Sequence, residues 1–369
     1  MSSSDLADLD LAHLDLSLLA PLGWHDGLTD AVASYAESGL RPGRVARPGR
    51  GAHLLATGGG STVLAAPSTA LLHSVVDDTA LPTVGDWVLW HGGGDGPALI
   101  DVVLPRTSAF LRHAGATATR AQVLAANIDV LLVVVSLAVA PNLRRIERFL
   151  TLGWESGAQP VVLLTKADLC HDVDVDTRDV EGAAPGVPVH AMSAVTGEGL
   201  AALEAYLDGR STLALIGASG VGKSTLVNRL TGAATMETSD VRSDGKGRHT
   251  TTHRELIELP QGGVLIDTPG LRGVQLWDAE EGLEQAFADV EVLAAQCRFP
   301  DCGHDTEPGC AVTAAIASGE LPARRLDSYQ RLQRELVYLE NKQDARARAE
   351  ARKKWRTVAK AQRAHRPRP

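Results

Sequence analysis

The chain has 369 residues and a formal net charge of −9, with 44% hydrophobic but only 4% aromatic residues. This length allows two or three domains, and their cores must be built from Leu, Val and Ala. The longest apolar run, residues 128–140, contains Asp129 and is too short to cross a bilayer, and the acidic start is no secretory signal. We therefore expect a cytoplasmic protein with no membrane partner.

Residues 1–40 are predicted to be an N-terminal extension. Asp and Leu alternate over roughly the first 20 residues, which we interpret as a frayed segment, followed by a short helix that docks through Trp24. Between residues 41 and 116, five short β-like runs alternate with Gly-rich turns, which favours a small barrel of the OB-fold type. Such barrels bind RNA on one face or serve a purely structural role, and both interpretations stay open.

From residue 117 to 277, strand-like and helix-like runs alternate, as in a parallel α/β sheet with one antiparallel edge. Residues 217–224 form a complete G-x-x-x-x-G-K-S phosphate-binding loop between a strand and a helix. Its backbone N–H groups and the helix N-terminus would bind phosphates, Lys223 would reach the outer phosphates, and the Ser224 hydroxyl would bind Mg²⁺. The predicted nucleotide contacts in this loop are Gly217, Ala218, Ser219, Gly220, Val221, Gly222, Lys223, Ser224 and Thr225.

Two motifs that could recognise guanine precede this loop. Thr165-Lys166-Ala167-Asp168 follows a strand-like run, and Ser193-Ala194 follows another. The Asp168 carboxylate can accept hydrogen bonds from guanine N1–H and its 2-amino group, the stem of Lys166 can cover the base, and the Ala194 N–H can donate to the 6-oxygen. T-K-x-D alone is a weak signal that also suits a solvated strand end, and Thr165 stands where Asn is usual. Together with the phosphate loop, the motifs favour guanine.

The switch motifs follow the phosphate loop. In Asp267-Thr268-Pro269-Gly270, Asp267 would support Mg²⁺ and Gly270 could sense a γ-phosphate. Thr251, in the run Arg248-His249-Thr250-Thr251-Thr252, could close over the Mg²⁺. Leu271 replaces the Gln that orients water in Ras-like enzymes, so His249 is the candidate for that task unless it is merely an exposed loop residue. The predicted catalytic residues are Lys223, His249 and Thr251.

The motifs run in the order base, base, phosphate, switch, switch, which is that of a circularly permuted GTPase domain. The permuted domain ends soon after Gly270, so about 26 residues lead from it to Cys297. We interpret this segment as a relay of the γ-phosphate state to the next domain, or else the permutation is an accident of history. Two rival functions remain: a P-loop ATPase or small-molecule kinase, and a nucleic-acid-binding module with a vestigial nucleotide site.

Residues 278–340 are predicted to be a mostly helical zinc-binding domain. Cys297, Cys302, His304 and Cys310 have the spacing C-x₄-C-x-H-x₅-C. Three thiolates and one imidazole form a closed tetrahedral set, which predicts one structural Zn²⁺ rather than unlinked cytosolic thiols. Cys170 is left over as a free thiol near the base-reading motif.

Residues 341–369 are predicted to be a basic C-terminal tail. Its last 28 residues hold 11 Lys/Arg and 2 Asp/Glu, whereas the rest of the chain holds 25 and 43. A basic tail on an acidic body favours a polyanionic partner such as nucleic acid over a solvated helix end.

Together these motifs resemble the circularly permuted ribosome small-subunit-dependent GTPase A family of bacterial assembly factors. Beside the nucleotide motifs, the match is carried by Val84-Gly85-Asp86-Trp87-Val88, by Ala125-Ala126-Asn127-Ile128-Asp129, and by residues 247–251 and 301–310. The resemblance spans roughly residues 40–340. It implies an OB-fold, a permuted GTPase domain that uses GTP/GDP and Mg²⁺, and a zinc domain. It also implies a monomer that acts late in the maturation of the 30S subunit and its 16S rRNA.

Overall fold

The described residues form three structural regions: a β-barrel, an α/β sheet and a C-terminal group of helices. The computed structural model describes residues 15–94, 96–113, 121–232, 254–267, 279–339 and 341. Within these residues, no helix is both long and apolar enough to span a membrane.

The first region is a closed barrel of five strands, ordered β1-β2-β3-β5-β4. The strands are β1 (Arg41–Arg47), β2 (His53–Gly58), β3 (Ser61–Pro67), β4 (Trp87–His91) and β5 (Ala98–Val103). β3 pairs with β5 in parallel and the other pairs are antiparallel, as in an OB-fold. Helix α2 (Thr69–Ser74) follows β3, and Ser68 caps its N-terminus by accepting a hydrogen bond from the backbone N–H of Leu71. The predicted barrel is therefore confirmed.

The segment before the barrel corrects the prediction that the chain is frayed up to about residue 20. Leu16–Leu22 form a 3₁₀ helix, and α1 spans Asp26–Ala33. Leu19 and Leu22 recur every three residues, so they lie on one face of a 3₁₀ helix, and both are buried. Trp24 packs edge-on against Trp87 of the barrel, with ring centroids 4.9 Å apart. Trp24 therefore docks this segment, as the sequence predicted. The predicted frayed segment before residue 15 lies outside the described residues.

A two-stranded hairpin, β6 (Ala109–His113) and β7 (Ala121–Ala126), connects the barrel to a six-stranded sheet. The sheet order is β10-β9-β8-β11-β13-β12, with every pair parallel except β12–β13. Its strands are β8 (Val130–Ser136), β9 (Gln159–Thr165), β10 (Val189–Ala191), β11 (Thr212–Ile216), β12 (Glu255–Glu258) and β13 (Val264–Asp267). The central strands are long runs of Val and Leu, as is typical of parallel strands whose two faces are both buried.

Helices α3 (Leu143–Glu155), α4 (Val173–Glu181) and α5 (Lys223–Thr231) belong to the sheet region. Within the described residues that follow, the helices are α6 (Glu280–Ala286), α7 (Ala288–Ala294), α8 (Ala311–Ser318) and α9, which covers residues 323–339. α6 packs directly on α3: a Cβ built on Gly282 of α6 would stand 2.4 Å from the carbonyl oxygen of Thr151 of α3. Glycine is the residue that permits this approach.

Arg325 fixes α9 to the sheet region. Its side chain is fully buried and stacks over the ring of Phe287 at 4.2 Å. Its hydrogen-bond acceptors are the carboxylates of Glu147 and Asp289 and the carbonyl oxygens of Ala183 and Ala286. Since Glu147 lies on α3, the C-terminal helices are joined to the sheet region by a buried ion pair.

Arg44 fixes the barrel to the sheet region. Its guanidinium is buried, and burial lowers its pKa to about 10, although the charge of Asp129 acts in the opposite direction. Its hydrogen-bond acceptors are the carbonyl oxygens of Leu22, Gly85 and Asn127. The Asp129 carboxylate accepts a 2.7 Å hydrogen bond from the backbone N–H of Thr212, the first residue of β11. The barrel is thereby connected to the strand that leads into the phosphate-binding loop.

Candidate functional site

The predicted phosphate-binding loop lies between the carboxyl end of β11 and the start of α5. A Cβ on Gly217 would stand 2.3 Å from the carbonyl oxygen of Val134, so this turn requires glycine. Gly220 and Gly222 have φ values of +76° and +99°, in the left-handed region that favours glycine. The three glycines of the motif are therefore explained by the backbone path of the loop.

Lys223 is the first residue of α5 and its side chain returns to the loop. Its Nζ donates a 2.9 Å hydrogen bond to the carbonyl oxygen of Gly217 and another to that of Ala218. Ser224 and Thr225 follow in the first turn of α5. The ammonium group and the N-terminus of α5 thus lie on the same loop, which gives that loop the positive potential that phosphates bind.

The base-reading motif at the end of β9 contacts the phosphate-binding loop directly. Thr165 is buried, and its hydroxyl lies 2.5 Å from the carbonyl oxygen of Val221 and 3.1 Å from that of Val135. Lys166 adopts φ +61°, and its Nζ donates a 2.8 Å hydrogen bond to the carbonyl oxygen of Gly220. Two motifs more than 50 positions apart in sequence are therefore joined by side-chain to backbone contacts.

The second base motif lies beside the first. The N–H of Ala167, which precedes Asp168, donates a 3.1 Å hydrogen bond to the carbonyl oxygen of Met192, which precedes Ser193. Ser193 is buried, and its hydroxyl accepts hydrogen bonds from the backbone N–H groups of residues 195 and 196, which shapes the loop that carries Ala194. Asp168 lies in a short 3₁₀ helix, Ala167–Leu169. The structure thus brings the two base motifs and the phosphate loop together.

Asp267, the first residue of the D-x-x-G motif, ends β13, which is the parallel neighbour of β11. It is paired across the sheet with Glu255 of β12. The other predicted switch residues lie outside the described residues; they are Arg248, His249, Thr251, Gly270 and Leu271.

The predicted zinc ligands form one cluster between α7 and α8. The Sγ atoms of Cys297 and Cys310 lie 3.8 Å apart, and they lie 3.6 Å and 3.5 Å from Nδ1 of His304. Tetrahedral zinc with bonds of about 2.3 Å to sulfur and about 2.05 Å to nitrogen places its ligands ~3.8 Å and ~3.6 Å apart. With Cys302 included, all four ligand atoms lie within 4.8 Å of one another. The donor set therefore fits a closed zinc site.

The loop around the cluster shows how the sequence positions its ligands. His304 adopts φ +60°, and the Cys310 side chain accepts a hydrogen bond from the Thr313 N–H at the start of α8. Burial raises the pKa of the Cys310 thiol, but hydrogen bonds with Thr313 and His304 outweigh it and lower that pKa to about 6. This shift favours the thiolate, the form that binds metals.

Glu307 is a residue whose role the sequence did not reveal. Its carboxylate accepts hydrogen bonds from the backbone N–H groups of Gly303, Asp305 and Thr306. These bonds, led by that from Asp305, lower the pKa of Glu307. The carboxylate thus holds the turn that presents His304. The only sequence signal for this role is that an acidic residue lies three positions after the predicted ligand His304.

Comparison with known proteins identifies the family. The family model described as RsgA GTPase matches residues 103–277. A relative from Streptomyces coelicolor, named small ribosomal subunit biogenesis GTPase RsgA, is 52% identical over 94% of this chain and 94% of its own length. The chain belongs to the RsgA GTPase family. A relative of the same name from Opitutus terrae is 44% identical over 94% of this chain and 97% of its own. The resemblance seen in the sequence is confirmed.

Two solved structures of similar architecture support the same conclusion for the fold. YjeQ from Thermotoga maritima has a TM-score of 0.61 at 28% identity, covering 81% of this chain and 99% of that one. YloQ, described as a circularly permuted GTPase, has a TM-score of 0.58 at 26% identity, covering 81% and 95%. The RsgA family fold, an OB-fold barrel followed by a permuted GTPase domain and a helical region with the Cys₃His cluster, is as the sequence predicted.

Proposed function

We propose that this protein binds the small ribosomal subunit and hydrolyses GTP to assist late maturation of the 30S particle and its own release. The observation that carries the proposal is the contact between the base motif and the phosphate loop, at Thr165–Val221 and Lys166–Gly220. Because the base motif and the phosphate loop contact each other, they would together hold the base and the phosphates of one guanine nucleotide. The names of the relatives, small ribosomal subunit biogenesis GTPases, supply the particle on which the reaction occurs.

Each predicted site residue has a task in this proposal. Asp168 accepts the hydrogen bonds of guanine, and Ala194 donates to its 6-oxygen. The backbone of the loop and Lys223 bind the phosphates and neutralise charge that develops on them. Ser224, Thr251 and Asp267 would hold Mg²⁺, which would supply positive charge to neutralise the outer phosphates. His249 is the proposed water-orienting residue, because leucine at position 271 can neither donate nor accept a hydrogen bond.

The Cys₃His cluster is proposed to hold one structural Zn²⁺. Its four ligands, Cys297, Cys302, His304 and Cys310, leave no open coordination position, so the metal would stabilise the fold rather than take part in hydrolysis. The loop between α7 and α8 contains few large apolar side chains, which makes a metal its main source of folding free energy.

The proposed domain boundaries are 1–40, 41–116, 117–277, 278–340 and 341–369. The barrel, the zinc domain and the basic tail would contact the subunit and its 16S rRNA. The protein would act as a cytoplasmic monomer with no membrane partner. GTP and GDP would set the affinity for the subunit, with release after hydrolysis.

The test is GTP hydrolysis measured with and without purified 30S subunits, with ATP as the competing nucleotide. We expect slow turnover alone, strong stimulation by 30S subunits, and no effect of ATP. Lys223→Ala should lose both rates. Equal hydrolysis of ATP would favour the ATPase or kinase alternative. Binding to 30S subunits with no hydrolysis, even in a single turnover, would favour a nucleic-acid-binding module with a vestigial nucleotide site.

A further inference from the structure

The loop that carries Ala194 is closed at its base by the segments on either side of it. It follows strand β10, which ends at Ala191, and it ends at Gly199, the residue before a 3₁₀ helix, Leu200–Tyr206. Gly199 adopts φ +72°, and a Cβ built on it would stand 2.1 Å from the carbonyl oxygen of Ala191. The strand and the helix therefore meet below the loop, and the contacts between them fix the position of Ala194.

The 200–206 helix packs on the sheet region through one face. Leu200, Leu203 and Tyr206 recur every three residues, so they lie on the same face of a 3₁₀ helix. They pack in the core cluster that also holds Met192, the residue before the loop. A cavity of about 350 Å³ remains between this helix and α5, and Leu200, Leu203 and Leu230 are among the residues that line it. Packing against α5 therefore does not by itself fix the helix.

A hydrogen bond joins the end of this helix to β10. Nε2 of His190 lies 2.9 Å from Oη of Tyr206, and the ring centroids are 5.7 Å apart. Both side chains are partly buried. Burial lowers the pKa of His190 and raises that of Tyr206, so both groups are uncharged at neutral pH. The contact is thus a hydrogen bond between two neutral groups, on opposite sides of the base of the loop.

Strand β10 is short and lies at the edge of the described sheet. It has three residues, Val189–Ala191, and it pairs with β9, where His190 stands opposite Leu163. Few backbone hydrogen bonds hold a strand of this length, and segments with few contacts open at a low cost in free energy. The hydrogen bond between His190 and Tyr206 attaches this strand to a second element, and with it the start of the loop.

We propose that His190 and Tyr206 are positioning residues for guanine recognition. Their hydrogen bond holds the loop where the Ala194 N–H can donate to the 6-oxygen of the base, and neither side chain contacts the nucleotide. The proposal rests on the proposed function, in which Asp168 binds N1–H and the 2-amino group. Because Asp168 and Ala194 lie on different segments, loss of the His190–Tyr206 hydrogen bond should weaken recognition of the 6-oxygen and leave recognition by Asp168 intact.

The experiment compares three nucleotides that differ at the edge of the base. GDP presents the complete guanine edge, 6-thio-GDP replaces the 6-oxygen by sulfur, a weaker hydrogen-bond acceptor, and IDP lacks the 2-amino group. Their dissociation constants for the full-length protein are measured by calorimetric titration in the presence of Mg²⁺. The ratio of the 6-thio-GDP and GDP constants reports on Ala194, and the ratio of the IDP and GDP constants reports on Asp168.

Tyr206→Phe removes the hydroxyl alone, and His190→Phe removes the nitrogen that it contacts. Each should lower the 6-thio-GDP to GDP ratio by about twofold to tenfold, the effect of one net hydrogen bond, and leave the IDP to GDP ratio unchanged. The double variant should lower the ratio no further, because both changes remove the same hydrogen bond. His190→Gln, whose amide reaches about as far as Nε2, should retain most of the wild-type ratio. Tyr329→Phe is the matched control: it removes a hydroxyl bonded to Glu291 in the C-terminal helices and should change neither ratio.

Several outcomes would refute the positioning role. An equal loss of affinity for all three nucleotides would mean that the pair is merely structural, and wild-type affinities in both phenylalanine variants would mean that the pair has no effect. If the wild type does not discriminate between GDP and 6-thio-GDP while 30S subunits still stimulate GTP hydrolysis, the positioning role fails and the GTPase function stands. If the wild type binds no guanine nucleotide, both fail together. Thermal unfolding is measured for every variant, and either phenylalanine variant decides the question if the other folds poorly.

Discussion

Replacing Thr165 by valine tests the junction between the base motif and the phosphate loop. Valine keeps the shape of threonine but replaces the hydroxyl by a methyl group, so the contacts to the carbonyl oxygens of Val221 (2.5 Å) and Val135 (3.1 Å) are lost. One hydroxyl hydrogen can serve one acceptor at a time, so one hydrogen bond is removed. The site is buried, and water cannot readily replace that hydrogen bond.

The expected effect follows from the energetics of such bonds. An intramolecular hydrogen bond contributes about 1 kcal/mol net, and up to ~3 kcal/mol if its buried acceptor is left without a partner. Because 1.4 kcal/mol corresponds to about a tenfold change in affinity, we expect Thr165→Val to weaken GDP and GTP binding about tenfold. The loss arises because the nucleotide must order a loop that the hydroxyl no longer holds. Selectivity for guanine over xanthine should not change, since Asp168 is untouched.

The measurement is calorimetric titration with GDP, and with a non-hydrolysable GTP analogue, alongside thermal unfolding to confirm the fold. Thr165→Ser is the matched control, because serine retains the hydroxyl and should bind nearly as tightly as the wild type. Wild-type GDP affinity in Thr165→Val would refute the view that this contact holds the phosphate loop. A loss confined to base selectivity would also refute it.

Three further predictions concern the base, the metal and the packing. Asp168→Asn should weaken GTP and favour xanthosine triphosphate in competition assays, because the amide donates where the carboxylate accepts; unchanged guanine preference would contradict this. Cys302→Ala should lower the zinc content, about one per chain in the wild type, and the thermal stability of the C-terminal helices, while GDP still binds; full zinc occupancy would refute the ligand set. Gly282→Ala, whose Cβ would meet the Thr151 carbonyl oxygen at 2.4 Å, should destabilise the fold by about 1–3 kcal/mol. Gly94→Ala, in open space, should not lower the melting temperature, and an equal melting temperature for both variants would refute the packing argument.

The sequence predicted most of the fold because its signals are local. Uniform runs of Val and Leu mark buried parallel strands, and the glycines of the phosphate loop and the cysteine spacing each have few structural explanations. The nucleotide motifs also lie at strand ends, so a parallel sheet brings them to one edge. These features can be recognised without knowing the strand order of the sheet, since the permuted order of the motifs is visible in the sequence itself.

The contacts that join distant segments could not be predicted. Arg44 and Arg325 are fully buried, whereas an arginine in a sequence is expected at the surface. The partner of Thr165 in the phosphate loop is 56 positions away, and nothing local to either residue indicates it. The Leu16–Leu22 helix is not predicted by its sequence, because alternating Asp and Leu is also typical of a solvated segment. Its leucines are buried by packing on distant residues, which the local sequence does not indicate.

The same long-range contacts change how the permutation can act. The segment after Gly270 was interpreted as a tether that relays the γ-phosphate state to the zinc cluster. Its described helices are instead packed on α3, through Gly282 against Thr151, and α9 is bound to α3 by the buried Arg325–Glu147 pair. α3 follows β8, whose Val135 carbonyl oxygen contacts Thr165. The zinc cluster is therefore attached to the base-reading half of the sheet as well as to the D-x-x-G strand. The base half of the sheet and the zinc cluster are then expected to remain one body when GTP is hydrolysed.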